Sequence, residues 1–241
     1  AKRYSELSQD RFDITIAPLT LLWGIDTKNA RVPKQEEIDE ALKLVDYENI
    51  ILNESENSIL LARKGMALDL GGIAKGYIVD RIKDEYQKQR ITSALVSIGG
   101  NIFAYGTKPD KSLFTVGIRD PKGTTGNEIL GKLTIKDKVV ATTGAYERYF
   151  EQDGKKYHHI LDVNTGYPYP SDLASVTIIC DDGGLADFLS TTLFIAGKEH
   201  IDDYINDDRF EVIIVDNQNN VHISPSLKDG FEITNDSYTL S

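Results

Sequence analysis

Cysteine, long apolar runs and positive charge are what this chain has least of. A single cysteine, Cys180, among 241 residues excludes an internal disulfide framework, and with no basic partner near it in sequence it makes no nucleophile motif. It leaves the compartment open, since one thiol suits an extracellular bacterial protein or a cytoplasmic one equally. No apolar run is long enough to span a bilayer, and no signal-peptide core is present. The 27 Lys and Arg stand against 38 Asp and Glu, a formal net charge of −11. With no basic patch, this excludes a general nucleic-acid or polyanion binder. A Gly-x-Ser-x-Gly elbow, low-complexity linkers and clean internal repeats are missing too. The start, AKRYSELSQDRF, has no initiator Met and reads as a cut inside a longer chain.

What is present is a chain 40% hydrophobic, enough to bury a core. The run LADFLSTTLFIAG carries Asp187, Ser190 and Thr191 where a buried helix would hold aliphatic residues. In a helix Asp187 and Thr191 share one face, with Ser190 beside them. Buried polar groups are costly unless satisfied. A carboxylate with two hydroxyls is an all-oxygen set that suits a hard cation such as Mg²⁺. The competing reading is a helix turn with Asp near the dipole and Ser/Thr bonded back to carbonyls.

Helical signals are few. The pattern predicts helices over Pro33–Asp46, Gly72–Lys88 and Leu185–Gly197, with a short fourth in KEHIDDYIND. ILNESENSILLARKG reads as a hairpin, and VIIVDNQNNVHIS as another with Asn-rich turn chemistry. ALVSIGGNIFAYG, LFTVGIRD, GKLTIKDKVVATTG, ASVTIICDD and FEITND read as further strands. Strands outnumber helices and adjoin in hairpin fashion, which predicts an α+β fold of mostly antiparallel sheets packed with helices.

Four segments are candidates for chemistry. DLGGIAKGYIVD (Asp69 to Asp80) follows an apolar strand and opens a helix, a setting for phosphate capture or for close packing at its glycines. It is not a P-loop, since Tyr77 stands where the Lys belongs, nor a dinucleotide fingerprint, since Ile73 replaces the middle glycine. Lys75 within it could pair with an anionic ligand. SIGGNIFAYG is a tight turn or a binding loop. VATTGAYERYF, with Thr142, Thr143 and Gly144, either presents NH and OH groups to a ligand or forms a surface turn. YHHILDVNTGYP holds His158 and His159, which face opposite ways on a strand, so they cannot share a metal, and no third ligand sits at zinc spacing. A His with Asp162 is either an acid–base pair or structural.

Taken in order, FDITIAPLTLLWG, DLGGIAKGYIVD, SIGGN, ATTGAYERYF, HHILDVNTGYP and ADFLSTTLFIAG resemble the FAD:protein FMN transferases, the ApbE-type flavin transferases. The resemblance runs from Phe12 to Gly197 and on into the last strands. It implies a T-fold-like ApbE architecture over residues 1–241 as one flavin transferase domain. FDIT replaces the usual FDPT, and a strand–helix segment of the family, which normally helps cover the isoalloxazine ring, is missing before it. The implied reaction is Mg²⁺-dependent transfer of FMN from FAD, as substrate, to a threonine of an acceptor protein, with release of AMP. Alternatives are an FAD pyrophosphatase and a non-catalytic FAD-binding protein. By resemblance, Asp187, Ser190, Thr191 and the carbonyl of Gly72 are metal ligands. Phe12, Asp13, Asp69, Lys75 and Leu161 contact FAD, Thr143 lines the site, and His159 assists transfer. The resemblance also implies an extracytoplasmic, lipid-anchored full-length protein.

Overall fold

The computed structural model describes residues 1–241. In chain order it runs α1 (Lys2–Leu7), α2 (Ala17–Trp23), α3 (Gln35–Leu42), β1 (Ile50–Asn53), β2 (Ser58–Leu61), α4 (Ala74–Lys88), β3 (Ser93–Ile98), β4 (Asn101–Gly106) and β5 (Phe114–Arg119). It continues with β6 (Ile129–Ile135), β7 (Lys138–Gly144), β8 (Tyr149–Gln152), β9 (Lys155–His158), β10 (Leu173–Cys180), α5 (Gly183–Ala196), α6 (Ile201–Ile205), β11 (Glu211–Asp216), β12 (Asn220–Ile223), β13 (Phe231–Ile233) and β14 (Thr239–Leu240). The expected α+β class holds, and every strand ladder is antiparallel except the β12–β14 pair. No helix is long and apolar enough to cross a membrane.

The chain divides into two compact units. The first comprises residues 1–71 and 145–170. Its core is Leu19, Trp23, Ile38, Ala41 and Leu161. Trp23 is fully buried, and its Nε1 donates to the Gly166 carbonyl at 2.8 Å. The rings of Tyr157 and Tyr167 lie 5.6 Å from it. Helix α2 was not among the expected helices. Pro18 presets its first turn, Leu19 and Trp23 share its buried face one turn apart, and Gly24 ends it in the left-handed region. The helix expected over Pro33–Asp46 is shorter, Gln35–Leu42.

The second unit comprises residues 72–144 and 171–241. Its seven-stranded sheet has the order β14-β12-β11-β10-β7-β4-β3, and a separate three-stranded sheet the order β13-β6-β5. The two sheets enclose a core that includes Val140, Ile179, Ile213, Val116, Leu133 and Phe231. Because side chains alternate along a strand, β7 and β10 turn their other residues, among them Ala141, Thr143, Val176 and Ile178, to the opposite face. Helix α5 packs against β7, β10 and α4. It is buried on nearly all sides, which is why its sequence is mostly apolar, broken by Asp187, Ser190, Thr191 and Thr192, and shows no amphipathic stripe.

Candidate active site

Helices α4 and α5 cross at Gly76 and Gly183, where a Cβ on Gly76 would overlap the Gly183 carbonyl. This approach brings the N-termini of both helices together. The Gly76 amide, in the first turn of α4, donates to Oδ2 of Asp187 at 3.0 Å. The Gly183 and Gly184 amides, which open α5, donate to Oδ1 and Oδ2 of Asp80 at 2.7 and 3.0 Å. Each helix thus supplies the aspartate that satisfies the other's orphan N–H groups. Burial pushes the Asp80 carboxyl above its ordinary value, against the pull of those two amides. The Asp182 side chain completes the start of α5 by accepting from the Leu185 amide at 2.7 Å.

Asp187 is 3% exposed. Its Oδ1 lies 2.9 Å from the Lys75 ammonium. On the sheet side, the Thr143 hydroxyl lies 2.8 Å from that of Ser190 and 3.2 Å from that of Thr191. Ser190 Oγ also donates to the Asp187 carbonyl at 2.9 Å. The segments around Lys75, Thr143 and Asp187–Thr191, far apart in sequence, therefore form one polar cluster in an otherwise apolar layer. Gly72 stands in the turn just before α4. Backbone bonding of Ser190 and the acceptance of the Gly76 amide by Asp187 show that these side chains hold the structure together, as the structural reading of the helix expects.

The donor set fits a hard divalent cation in chemical type: one carboxylate and three hydroxyls, all oxygen, around a carboxylate that already attracts a cation and an N–H dipole. No group of three or more His, Cys, Asp or Glu converges to hold a metal. An ion here would rest on a single carboxylate helped by neutral oxygens.

The remaining expected residues lie in the first unit. Asp13 Oδ1 accepts from both the amide and the hydroxyl of Thr15 at 2.7 Å, and Oδ2 accepts from the Tyr47 amide at 2.9 Å. Phe12 is buried, its amide bonded to Ser8 Oγ. Phe12, Asp13, Tyr47, Arg63 and Asn164 line a cavity of about 310 Å³. Asp69 Oδ1 accepts from the Gly71 amide at 2.8 Å, and Leu161 belongs to the core around Trp23. A larger cavity of about 450 Å³, lined by Arg209, Glu211 and Ser224, touches none of the expected residues.

The two adjacent histidines have different surroundings. His158 lies 3.0 Å through Nε2 from the Tyr169 carbonyl and takes the Ile160 amide on Nδ1 at 3.3 Å. Burial lowers its pKa, and both ring nitrogens serve the backbone. His159 is half-buried, with Nδ1 3.2 Å from the Arg148 carbonyl. A carbonyl can only accept, so Nδ1 carries a proton, and in the neutral form of the ring the basic lone pair is the one on Nε2. Asp80 was not among the expected site residues. The signal was its place in DLGGIAKGYIVD one turn after Gly76, on the glycine face of the helix.

Comparison with known proteins gives a consistent match. The ApbE family model matches residues 1–214. A FAD:protein FMN transferase of Klebsiella pneumoniae (strain 342) is 41% identical over 199 residues, 83% of this chain and 61% of that protein. That of Treponema pallidum (strain Nichols) is 38% identical over 209 residues, 81% of this chain and 58% of that protein. The chain thus spans about three-fifths of the length of these curated relatives. The crystal structure of the ApbE protein of Thermotoga maritima superposes with a TM-score of 0.85 at 37% identity, over 95% of this chain and 75% of that one. The apo form of the Pseudomonas stutzeri flavinyl transferase ApbE gives 0.74 at 30% identity, over 97% and 69%.

Proposed function

Because the chain belongs to the ApbE family, we propose that it carries out Mg²⁺-dependent transfer of FMN from FAD to a threonine hydroxyl of an acceptor protein. The single observation that carries this reading is the cluster around Asp187, where Lys75, the Gly76 amide and the hydroxyls of Thr143, Ser190 and Thr191 meet. Phosphoryl transfer needs charge neutralisation and positioning more than covalent chemistry from the protein. Such a cluster supplies both in a chain whose formal net charge is −11.

Asp187, Ser190, Thr191 and the Gly72 carbonyl would hold the ion. When bound there, Mg²⁺ supplies charge neutralisation for the diphosphate and its AMP leaving group. Lys75 adds a second positive charge for phosphate oxygens. Thr143 holds Ser190 and Thr191 in place through its hydroxyl. Phe12, Asp13, Asp69 and Leu161, with Lys75 and Thr143, form the proposed flavin-contacting set, and the lining of the 310 Å³ cavity by Phe12 and Asp13 supports their part in it. His159 takes the proton from the threonine hydroxyl onto Nε2 as the Thr oxygen bonds to the FMN phosphorus and the bond from phosphorus to the AMP oxygen breaks. The backbone bond at Nδ1 supports His159, rather than His158, in that role. A lipid-anchored, extracytoplasmic setting belongs to the same reading and rests on the family resemblance alone.

The test is incubation with FAD, Mg²⁺ and a candidate acceptor. The expected result is a fluorescent acceptor band on a denaturing gel with stoichiometric AMP, abolished in Asp187→Asn. AMP and FMN without a labelled acceptor would make the protein a pyrophosphatase. Tight FAD without AMP would make it a binding protein.

A further inference from the structure

Lys75 and Asp187 form an ion pair in which the two partners are buried unequally. The Asp187 side chain is 5% exposed and that of Lys75 is 33% exposed. Taking a carboxylate out of water is expensive unless positive charge and N–H donors replace the water. Here Lys75 supplies the charge at Oδ1 and the Gly76 amide the donor at Oδ2. A divalent cation on this carboxylate would stand beside an ammonium group in a region largely closed to water, where like charges repel strongly. Oδ1 cannot serve both well.

Lys75 is suited to leave. Its ammonium sits on a flexible four-carbon stem. The stem is held beside the β3–β4 turn, where a Cβ on Gly99 would come within 2.8 Å of Lys75 Cδ. The packing against Gly99 is therefore at the middle of the side chain, and the side chain as a whole is 33% exposed. An anion arriving beside Asp187 offers the head a new partner.

We propose that Lys75 is the counter-ion of Asp187 in the metal-free protein and is handed to the diphosphate of the substrate when the metal binds. This rests on the Mg²⁺ and FAD reading above and adds a linkage to it. Metal alone must evict Lys75 from Asp187 Oδ1. Diphosphate alone draws Lys75 away and leaves Asp187 without its charge partner. Each ligand removes the penalty of the other, so the two bind with positive coupling, and by linkage the coupling is reciprocal. Metal–phosphate contact would also couple the ligands, so the discriminating quantity is the affinity for metal alone.

Titration calorimetry with Mg²⁺, with and without saturating ADP as an uncleaved diphosphate, tests this on the wild type, Lys75→Gln and Lys75→Arg. ADP should tighten Mg²⁺ binding to the wild type about tenfold or more. Lys75→Gln should bind Mg²⁺ alone about tenfold more tightly than the wild type, since no ammonium competes, while Lys75→Arg, which keeps the charge, should remain weak. Lys75→Gln should also melt lower than the wild type in EDTA and gain more from Mg²⁺. On the wild type itself, reductive methylation of Lys75 should be slow in EDTA, faster with Mg²⁺ and slow again with Mg²⁺ and ADP. If Lys75→Gln binds Mg²⁺ no more tightly than a wild type that does bind it, or Lys75 reactivity does not respond to Mg²⁺, the handover is wrong and the transferase reading stands. If Mg²⁺ binds none of the three proteins with or without ADP, the metal reading fails and takes the handover with it.

Discussion

Asp80 and Asp187 close the first turns of each other's helices: Asp80 of α4 accepts from the Gly183 and Gly184 amides, and Asp187 of α5 accepts from the Gly76 amide. The exchange fixes the two helices in register. It also fixes where the Asp187 carboxylate stands relative to Lys75. A residue with no expected chemistry, Asp80, therefore positions one that has a role in the proposed reaction.

Replacing Asp80 by Asn removes the charge from that exchange and one of its two acceptors. The expected loss is about 1–2 kcal/mol in urea unfolding. The Mg²⁺ affinity of the folded protein should fall as well, and Asp80→Glu should restore part of it. Unchanged stability in Asp80→Asn would show that the capping contributes nothing.

Gly76→Ala acts on the same crossing by steric means. Its Cβ would overlap the Gly183 carbonyl, which is backbone and cannot rotate away. The helices must separate, at a cost of about 3 kcal/mol. Thermal melting should place this variant well below Asp80→Asn, and an equal or higher melting temperature would mean the crossing is looser than described.

His159→Ala should slow flavin transfer by about 10²–10⁴-fold, the usual worth of a positioned base. Mg²⁺ and FAD affinities should stay within experimental error, because neither ligand depends on the ring for charge. A variant that transfers at the wild-type rate removes His159 from the reaction.

Asp216 gives the protein an acid-sensitive point remote from this chemistry. It is fully buried, and burial alone would raise its pKa. Hydrogen bonds from the Asn220 and Lys198 side chains and from the Asn220 and Gln218 amides outweigh that and hold it at about 2, against 3.8 for a free carboxyl. A carboxyl depressed by folding stabilises the fold above its unfolded pKa and ceases to do so as pH falls through its folded one. Unfolding midpoints should therefore drop between pH 4 and about 2. In Asp216→Asn that segment of the pH profile should flatten.

Much of this was legible along the chain. The glycine run before α4, the polar residues inside the apolar α5 and the hairpins are local patterns, and local patterns follow from backbone geometry and side-chain periodicity. Of the residues in those motifs, the fold brings Lys75, Thr143, Ser190 and Thr191 to the cluster around Asp187. Less legible were α2, where FDITIAPLTLLWG carries an apolar run that strand and helix share, and the extent of α3, which ends at Leu42 before the pattern does.

By itself, the amino-acid order determined the glycine turn before α4, the polar residues inside α5 and the hairpins, because residue type and spacing suffice for those. Only the tertiary structure decided that Lys75 meets Asp187, that Thr143 reaches Ser190 and Thr191, and that Asp80 anchors α5. Those partners lie 112, 47 and 103 residues apart or nearly so, and contacts at such range are set by how layers pack, with glycine permitting a helix crossing that no period in the chain announces.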